Sequence, residues 1–382
     1  MLVYQILLSF TALFFGSLTG VLVKRVPENK DFGLARSECP HCGYQLKWYE
    51  NIPLLSFIFL LGKCSNCGKK ISYFYPGIEL AFLLCSLPFI NIAVKRFSVL
   101  SSISDQVFIF MDFLFYLSFI ALALALGLID QKKMQLPHKL TYSGILLGIV
   151  YVSLFASPYY SYSESLANLL SFIPGFFLSS FSAIKQFAIV VFSLDLVVYF
   201  ANLIVFRENA LLDNSQALSF GQKKLQENMK LVYLLYLILV LALVYFGMSF
   251  ALEIFFILIG FLYLAFEIFP YLFANNELET EETNVDKKTI LGGGDIMMLG
   301  FFATILGFVK TSLVFFSAFY IAFIFLMFKI IYKYFQYQLE LRKTDNPSED
   351  NSFDIKSILG GFIPLGLALA ISFIAVMIML AK

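Results

Sequence analysis

The chain has 382 residues, of which 60% are hydrophobic and only 14% charged, and its mean hydropathy is +0.82. A soluble domain is nearer ~45–50% apolar and ~25% charged, so the composition excludes a soluble globular protein and describes an integral membrane protein. The net charge of +1 says little about partners; the lipid bilayer is the one that composition requires, and no nucleic acid is expected.

The first apolar run extends from Leu2 to about Val23. It exceeds the ~20 residues that a helix needs to cross the hydrocarbon, and such runs recur along the chain, so it reads as a span rather than as a removable signal alone. No stretch has the alternating pattern of a membrane barrel. A polar segment with Lys24, Arg25, Lys30, Arg36, Lys47, Lys63, Lys69 and Lys70 follows. The positive-inside rule puts this loop in the cytoplasm and the N-terminus outside. Further spans are expected over Gly77 to Val94, Val107 to Ile129 and Leu140 to about Ala156. Ser157 to Ser182 has no Lys or Arg and reads as an outer loop, with Leu166 to Phe181 interfacial or re-entrant around Pro174-Gly175.

A fifth span is expected near Phe187 to Phe206, and Leu231 to Phe273 is long enough for two, turning near Gly247 to Phe250. After an acidic loop, Asn275 to Lys288, come Ile296 to Val309, Thr311 to Ile331, a charged loop (Tyr332 to Ser357) and a last span, Ile358 to Leu380. The expected fold is an all-α polytopic membrane bundle of about ten helices with both termini outside. It divides into a first transmembrane helix (1–23), a cytoplasmic zinc-ribbon-like loop (24–76), helices with a first candidate aspartate (77–165), an enlarged insertion with polar loops (166–288) and closing helices with a glycine motif (289–382).

The basic loop holds Cys39-Pro40-His41-Cys42 and Cys64-Ser65-Asn66-Cys67. Two such knuckles can set four thiolates tetrahedrally around one structural Zn²⁺, and glycines after each, Gly43 and Gly68, suit tight turns. In a reducing compartment disulfides are the weaker option; paired redox motifs are the other reading. Cys85 stands apart in an apolar run and reads as a small buried hydrophobe.

Two carboxylates lie at expected cytoplasmic ends of spans: Asp130, in Leu128-Ile129-Asp130-Gln131, and Asp295, in Gly292-Gly293-Gly294-Asp295. Each also fits a simpler role, Asp130 as a helix-end acid beside Lys132 and Lys133 and Asp295 as a capping or first-turn acid. The glycines, Gly292 and Gly294 among them, allow a tight turn and close backbone approach. Asp112 and Glu253 fall towards outer ends, Glu267 near an inner end, Asp195 in an apolar run, and Glu79 begins the second span. Snorkelling or interhelical hydrogen bonding accounts for Asp112, Glu253 and Glu267.

The knuckles, followed by Asn51-Ile52-Pro53-Leu54-Leu55-Ser56 and by Ile71 to Leu80, resemble the N-terminal signature of the type IV prepilin peptidases. Asp130 with Leu136-Pro137 and Thr141 resembles that family's first catalytic segment. Gly292-Gly293-Gly294-Asp295 is similar to its Gly-x-Gly-Asp element, and Gly361 to Gly366 with Ile363-Pro364 to its closing segment. The resemblance implies an intramembrane aspartic endopeptidase of the bacterial inner membrane, with Asp130 and Asp295 catalytic and the site on the cytoplasmic side. Its substrates would be type IV pilin-like or type II secretion pseudopilin precursors, and its wider partners the pilus or secretion assembly machinery. Many such enzymes also methylate the new N-terminus with S-adenosylmethionine.

Three features depart from the family pattern. His138 stands where an Asp often follows Leu-Pro, and Met297 and Met298 follow Asp295 where a Lys is usual. The third is the long separation of Asp130 from Asp295, with the excess in Leu166 to Lys288. Two readings outside the family stay open from the residues alone: a transporter using intramembrane acids and glycine-broken helices, and a non-catalytic scaffold docked through its zinc loop.

Overall fold

The computed structural model describes residues 1–28, 36–99, 102–133, 136–155, 179–191, 193–194, 249–263, 293–341 and 365–380. In chain order the helices are α1 (Leu2–Arg25), α2 (Leu55–Phe59), α3 (Phe74–Val99), α4 (Ile103–Lys133), α5 (His138–Phe155), α6 (Ser179–Val191), α7 (Ser249–Tyr263), α8 (Gly293–Leu306), α9 (Phe308–Leu341) and α10 (Leu365–Leu380). By length and composition α1, α3, α4, α5 and α9 can each cross a membrane, while α6, α8 and α10 are shorter and apolar. Among the described residues there is no strand beyond two isolated bridges in the cysteine loop. The expected helical membrane bundle is what the chain forms.

The chain divides into two compact units, Met1–Pro137 with Ser312–Lys382, and His138–Thr311. In the first, α1 packs on α3 and α4, α3 on α4, and α10 on α4. In hydrocarbon, burial of apolar surface does not drive helices together, so association rests on close van der Waals packing, to which small residues contribute most. The α1–α3 crossing follows that rule: a Cβ added at Gly16 would lie 3.0 Å from the Glu79 Cα. Ala12, Phe82, Leu117 and Ile120 are fully buried in this unit. In the second unit α5 packs on α8, with Phe301 and Thr304 against the groove left by Gly144 and Gly148.

Two stretches differ from expectation. The first is the segment read as an outer loop up to Ser182: α6 already begins at Ser179, eight residues before the expected fifth span. Lys185, between that loop and the expected span, lies inside the helix, and its ammonium pairs with Glu253 of α7 at 3.3 Å. The second is the charged loop expected from Tyr332, where α9 continues to Leu341. Its polar residues there are good helix formers, and side chains one turn apart bond each other, Gln336 Nε2 donating to the Tyr332 hydroxyl at 2.7 Å and Gln338 Nε2 to Tyr334 at 3.1 Å. Between α8 and α9 the turn is made by Gly307, whose φ of 76° suits glycine. The expected interfacial stretch Leu166 to Phe181 lies outside the described residues up to 178, as do most of the 166–288 insertion, the acidic loop and the start of the last span.

Candidate functional site

The basic loop is built from two small hairpins of the same design. In the first, Gly43 N–H donates to the Cys39 carbonyl and Cys39 N–H to the Tyr44 carbonyl, both at 2.9 Å. In the second, Gly68 N–H donates to Cys64 at 3.0 Å and Cys64 N–H to Lys69 at 2.9 Å. Gly43 and Gly68 have φ of 69° and 68°, the left-handed conformation that a side chain would strain. The four sulfurs of Cys39, Cys42, Cys64 and Cys67 all lie within 4.8 Å of one another, with Cys39 and Cys67 Sγ 3.9 Å apart.

A tetrahedral Zn²⁺ with Zn–S near 2.3 Å sets sulfurs about 3.8 Å apart, so the donor set fits that ion. The Tyr44 N–H at Cys42 Sγ, first among its influences, holds that thiol below the ordinary cysteine value, and the Asn66 amide also donates to it at 3.7 Å. Glu50 ties the hairpins together: it is 7% exposed, accepts the Lys47 N–H at 2.8 Å, and sits on Ser65 of the second knuckle. The Ser65 contact and then the Lys47 N–H depress its carboxyl below the usual glutamate value. A closed four-thiolate site leaves no ligand position open, so its contribution is to the loop's shape.

Asp130 occupies the last turn of α4 and is 7% exposed. Its Oδ2 accepts the Gly366 N–H at 2.8 Å, at the start of α10. The first N–H groups of a helix have no partner within it and carry partial positive charge, so a carboxylate suits them. The approach is as close as glycine permits. A Cβ on Gly366 would lie 2.9 Å from the Asp130 Cβ and Oδ2, and one on Gly127, a turn earlier in α4, 2.8 Å from the Leu367 Cα. Lys132, two residues on, places its ammonium 4.1 Å from the Phe74 ring centroid at the start of α3. The Lys24 Nζ at the end of α1 reaches the Tyr75 hydroxyl at 3.0 Å. The cysteine loop and Asp130 therefore share one end of the first unit.

Asp295 lies in the first turn of α8, in the second unit, and one of its carboxylate oxygens is buried. Gly294 is in the same turn; Gly292 lies outside the described residues. Each unit contributes one of the two expected aspartates. His138 opens α5, its ring 5.6 Å from that of Tyr142, and Met298 is fully buried.

Other acids have separate partners. Asp112 accepts from Arg96 of α3 at 2.9 Å, and Glu253 pairs with Lys185, so interhelical pairing accounts for both, as expected. Glu79 is not a simple helix-start acid; buried in α3, it accepts the Leu54 N–H at 2.8 Å from the cysteine loop. Asp195 and Glu267 lie outside the described residues. The roles of Gly127 and Gly366 in holding Asp130 were not assigned from sequence, although Gly366 falls in the closing segment that resembled the family.

Residues 10–94 match the family model described as Bacterial Peptidase A24 N-terminal domain. The chain is 34% identical over 158 residues to a prepilin leader peptidase/N-methyltransferase of Vibrio cholerae, covering 39% of this chain and 57% of that protein. It is 35% identical over 146 residues to one of Myxococcus xanthus, covering 38% and 39%. It is also 52% identical over 58 residues, 14% of this chain and 22% of the relative, to a type 4 prepilin-like proteins leader peptide-processing enzyme of Escherichia coli. The chain thus spans from about a fifth to just over half of the length of these relatives. No solved structure matches. Residues 10–94 thus carry a Bacterial Peptidase A24 N-terminal domain, and the relatives that this chain resembles are prepilin leader peptidases.

Proposed function

We propose that this protein is an intramembrane aspartic endopeptidase that removes the basic leader from type IV pilin-like or type II secretion pseudopilin precursors. The observation that carries the reading is the buried Asp130 carboxylate, seated on the start of α10 at the end of the unit that bears the matched N-terminal domain. Asp295 at the Gly-Gly-Gly-Asp motif is the second catalytic group. Two carboxylates that work together share a proton, because both cannot easily be ionised in a poorly solvated site. The ionised one takes a proton from water as that water attacks the scissile carbonyl. The protonated one donates to the carbonyl oxygen, and the departing amine takes up a proton as the intermediate collapses.

The loop and the active site face the cytoplasm in this reading and both termini lie outside, as the positive-inside rule expects of a protein in the bacterial inner membrane. A precursor whose basic leader stays inside and whose hydrophobic helix enters the bilayer then presents its cleavage point at the right depth. Pilus or type II secretion assembly machinery would receive the product. Zn²⁺ held by Cys39, Cys42, Cys64 and Cys67 would supply a cross-link between the two hairpins. The N-methyltransferase in the relatives' names requires a methyl donor, S-adenosylmethionine, and the peptidase steps above use none of it.

The test is cleavage of a pilin-like precursor in membranes by wild type, Asp130→Asn and Asp295→Asn. Asn keeps the shape and, at 130, an oxygen for the Gly366 N–H, but it cannot ionise. Both variants are expected to express normally and to lose cleavage. Normal cutting by either would remove that residue from the catalytic pair.

A further inference from the structure

Between the two cysteine hairpins lies α2, five residues long, whose outward side is strongly apolar. Ile58, Phe59 and Leu61 are 63%, 79% and 84% exposed. An exposed cluster of this kind in a loop otherwise rich in lysine calls for a partner. Its backbone is held in place at a cost. Leu54 and Leu61, which bracket it, have φ of 59° and 51°, conformations that non-glycine residues adopt only when their surroundings impose them. Phe57 meets the ring of Tyr73, the residue before α3, tilted by 60° with centroids 5.6 Å apart.

The depth of α2 follows from one hydrogen bond. Phe74 and Tyr75 of α3, with Lys24 and Lys132 against their rings, form the aromatic and basic belt typical of a membrane–water boundary. Glu79, which accepts the Leu54 N–H at 2.8 Å, is four residues further along α3. At about 1.5 Å per residue the Glu79 Cα lies about 6 Å beyond Tyr75, and its side chain leans back towards the start of α3, so the start of α2 sits between the belt and about 6 Å past it, on the hydrocarbon side. Helices that lie in a membrane interface bury their apolar face about 5–10 Å into the headgroup and acyl boundary. Glu79 also packs against Gly16, well inside α1 rather than at its end.

We infer that α2 with Leu61 is a lipid-inserted wedge, a short re-entrant helix that dips into the leaflet on the loop's side and seats the zinc hairpins against the bilayer. Lys63, Lys69 and Lys70, all exposed on the adjoining hairpin, complement phospholipid phosphates. The occupant of the apolar face is the acyl-chain boundary of the bilayer itself, continuous with the lipid around α1 and α3.

The chain has a single tryptophan, Trp48, so a one-tryptophan probe is simple to place. The full-length protein with Trp48→Phe and Phe59→Trp is reconstituted into bilayers of ordinary phospholipid or of phospholipid brominated at defined acyl carbons. A parallel variant carries Trp48→Phe and Gln45→Trp, placing the probe on the first hairpin. The wedge predicts blue-shifted emission from position 59, strong loss of intensity with bromines near the top of the chains, and weaker loss with deeper bromines. Position 45 should emit as hydrated indole and lose little. Hydrated, unquenched emission from position 59 overturns the wedge, and so does equal quenching at both positions, which would mean that the whole loop lies flat. Leu61→Trp in the same background repeats the reading should Phe59→Trp fail to fold.

Discussion

Substituting Gly366 by alanine tests whether the seating of Asp130 matters. The added Cβ would stand 2.9 Å from the Asp130 Cβ and Oδ2 and 3.0 Å from its Cγ. Carbon atoms in contact prefer about 3.5–4.0 Å, and the Asp130 Cβ is fixed to α4, so rotating the carboxylate cannot relieve the clash. The start of α10 must retreat by about 0.6 Å or more, which stretches the 2.8 Å bond from the Gly366 N–H to about 3.4 Å or breaks it. A hydrogen bond to a charged group contributes about 1.5–3 kcal/mol. If that orientation is retained up to the transition state, precursor cleavage should slow by about tenfold to about 150-fold, at about 1.4 kcal/mol per decade. Gly127→Ala should act alike by another route, since its Cβ would meet the Leu367 Cα at 2.8 Å without touching the carboxylate. The assay is single-turnover cleavage of a pilin-like precursor in membranes, with expression checked. Rates within about twofold of wild type for both variants would refute the argument that helix spacing positions Asp130.

Three further outcomes are expected. Purified protein should carry about one zinc per chain by elemental analysis, lost together with resistance to thiol alkylation in Cys64→Ser or after chelation. Glu50→Gln should loosen the cysteine loop, read as faster hydrogen exchange. Because the folded carboxyl lies below the unfolded one, the stability Glu50 contributes is fully present above the unfolded glutamate value and is lost as pH falls through the depressed one. The gap between wild type and Glu50→Gln should therefore close on acidification and persist at neutral pH. In the second unit, Lys185→Met leaves Glu253 without its ammonium and should cost about 3–5 kcal/mol. That would appear as a lower unfolding temperature in detergent, with Lys185→Met/Glu253→Leu recovering most of the loss.

The membrane class, the basic loop and the thiolate cluster were legible because each rests on local pattern: apolar run length, lysine count and two C-x-x-C-G turns of one design. Asp130 and Asp295 could be singled out because a carboxylate at the end of an apolar run is costly to leave without purpose. What the residues could not give was partnership at a distance. The helix around Lys185 was not foreseen, because nothing nearby in sequence announces its partner Glu253, 68 residues on. The extension of α9 past Tyr332 was hidden by reading polarity as loop, when polarity only says that the helix has left the hydrocarbon. Glu79 was read as the start of the second span, whereas it lies in the second turn of α3, and its hold on Leu54 depends on a backbone group 25 residues away.

The bond between Gly366 and Asp130 joins residues 236 positions apart, and that separation has a consequence for biosynthesis. Chains are made and inserted from the N-terminus onward, so α1, α3 and α4 can assemble around Asp130 long before its hydrogen-bond donor exists. A nascent chain holds the carboxylate but not the N–H that seats it until α10 has been translated and has docked on α4. If the proposed peptidase activity depends on that seating, it is switched on only when α10 is complete, and a ribosome stalled before residue 365 would leave a chain folded around Asp130 without the donor that seats it.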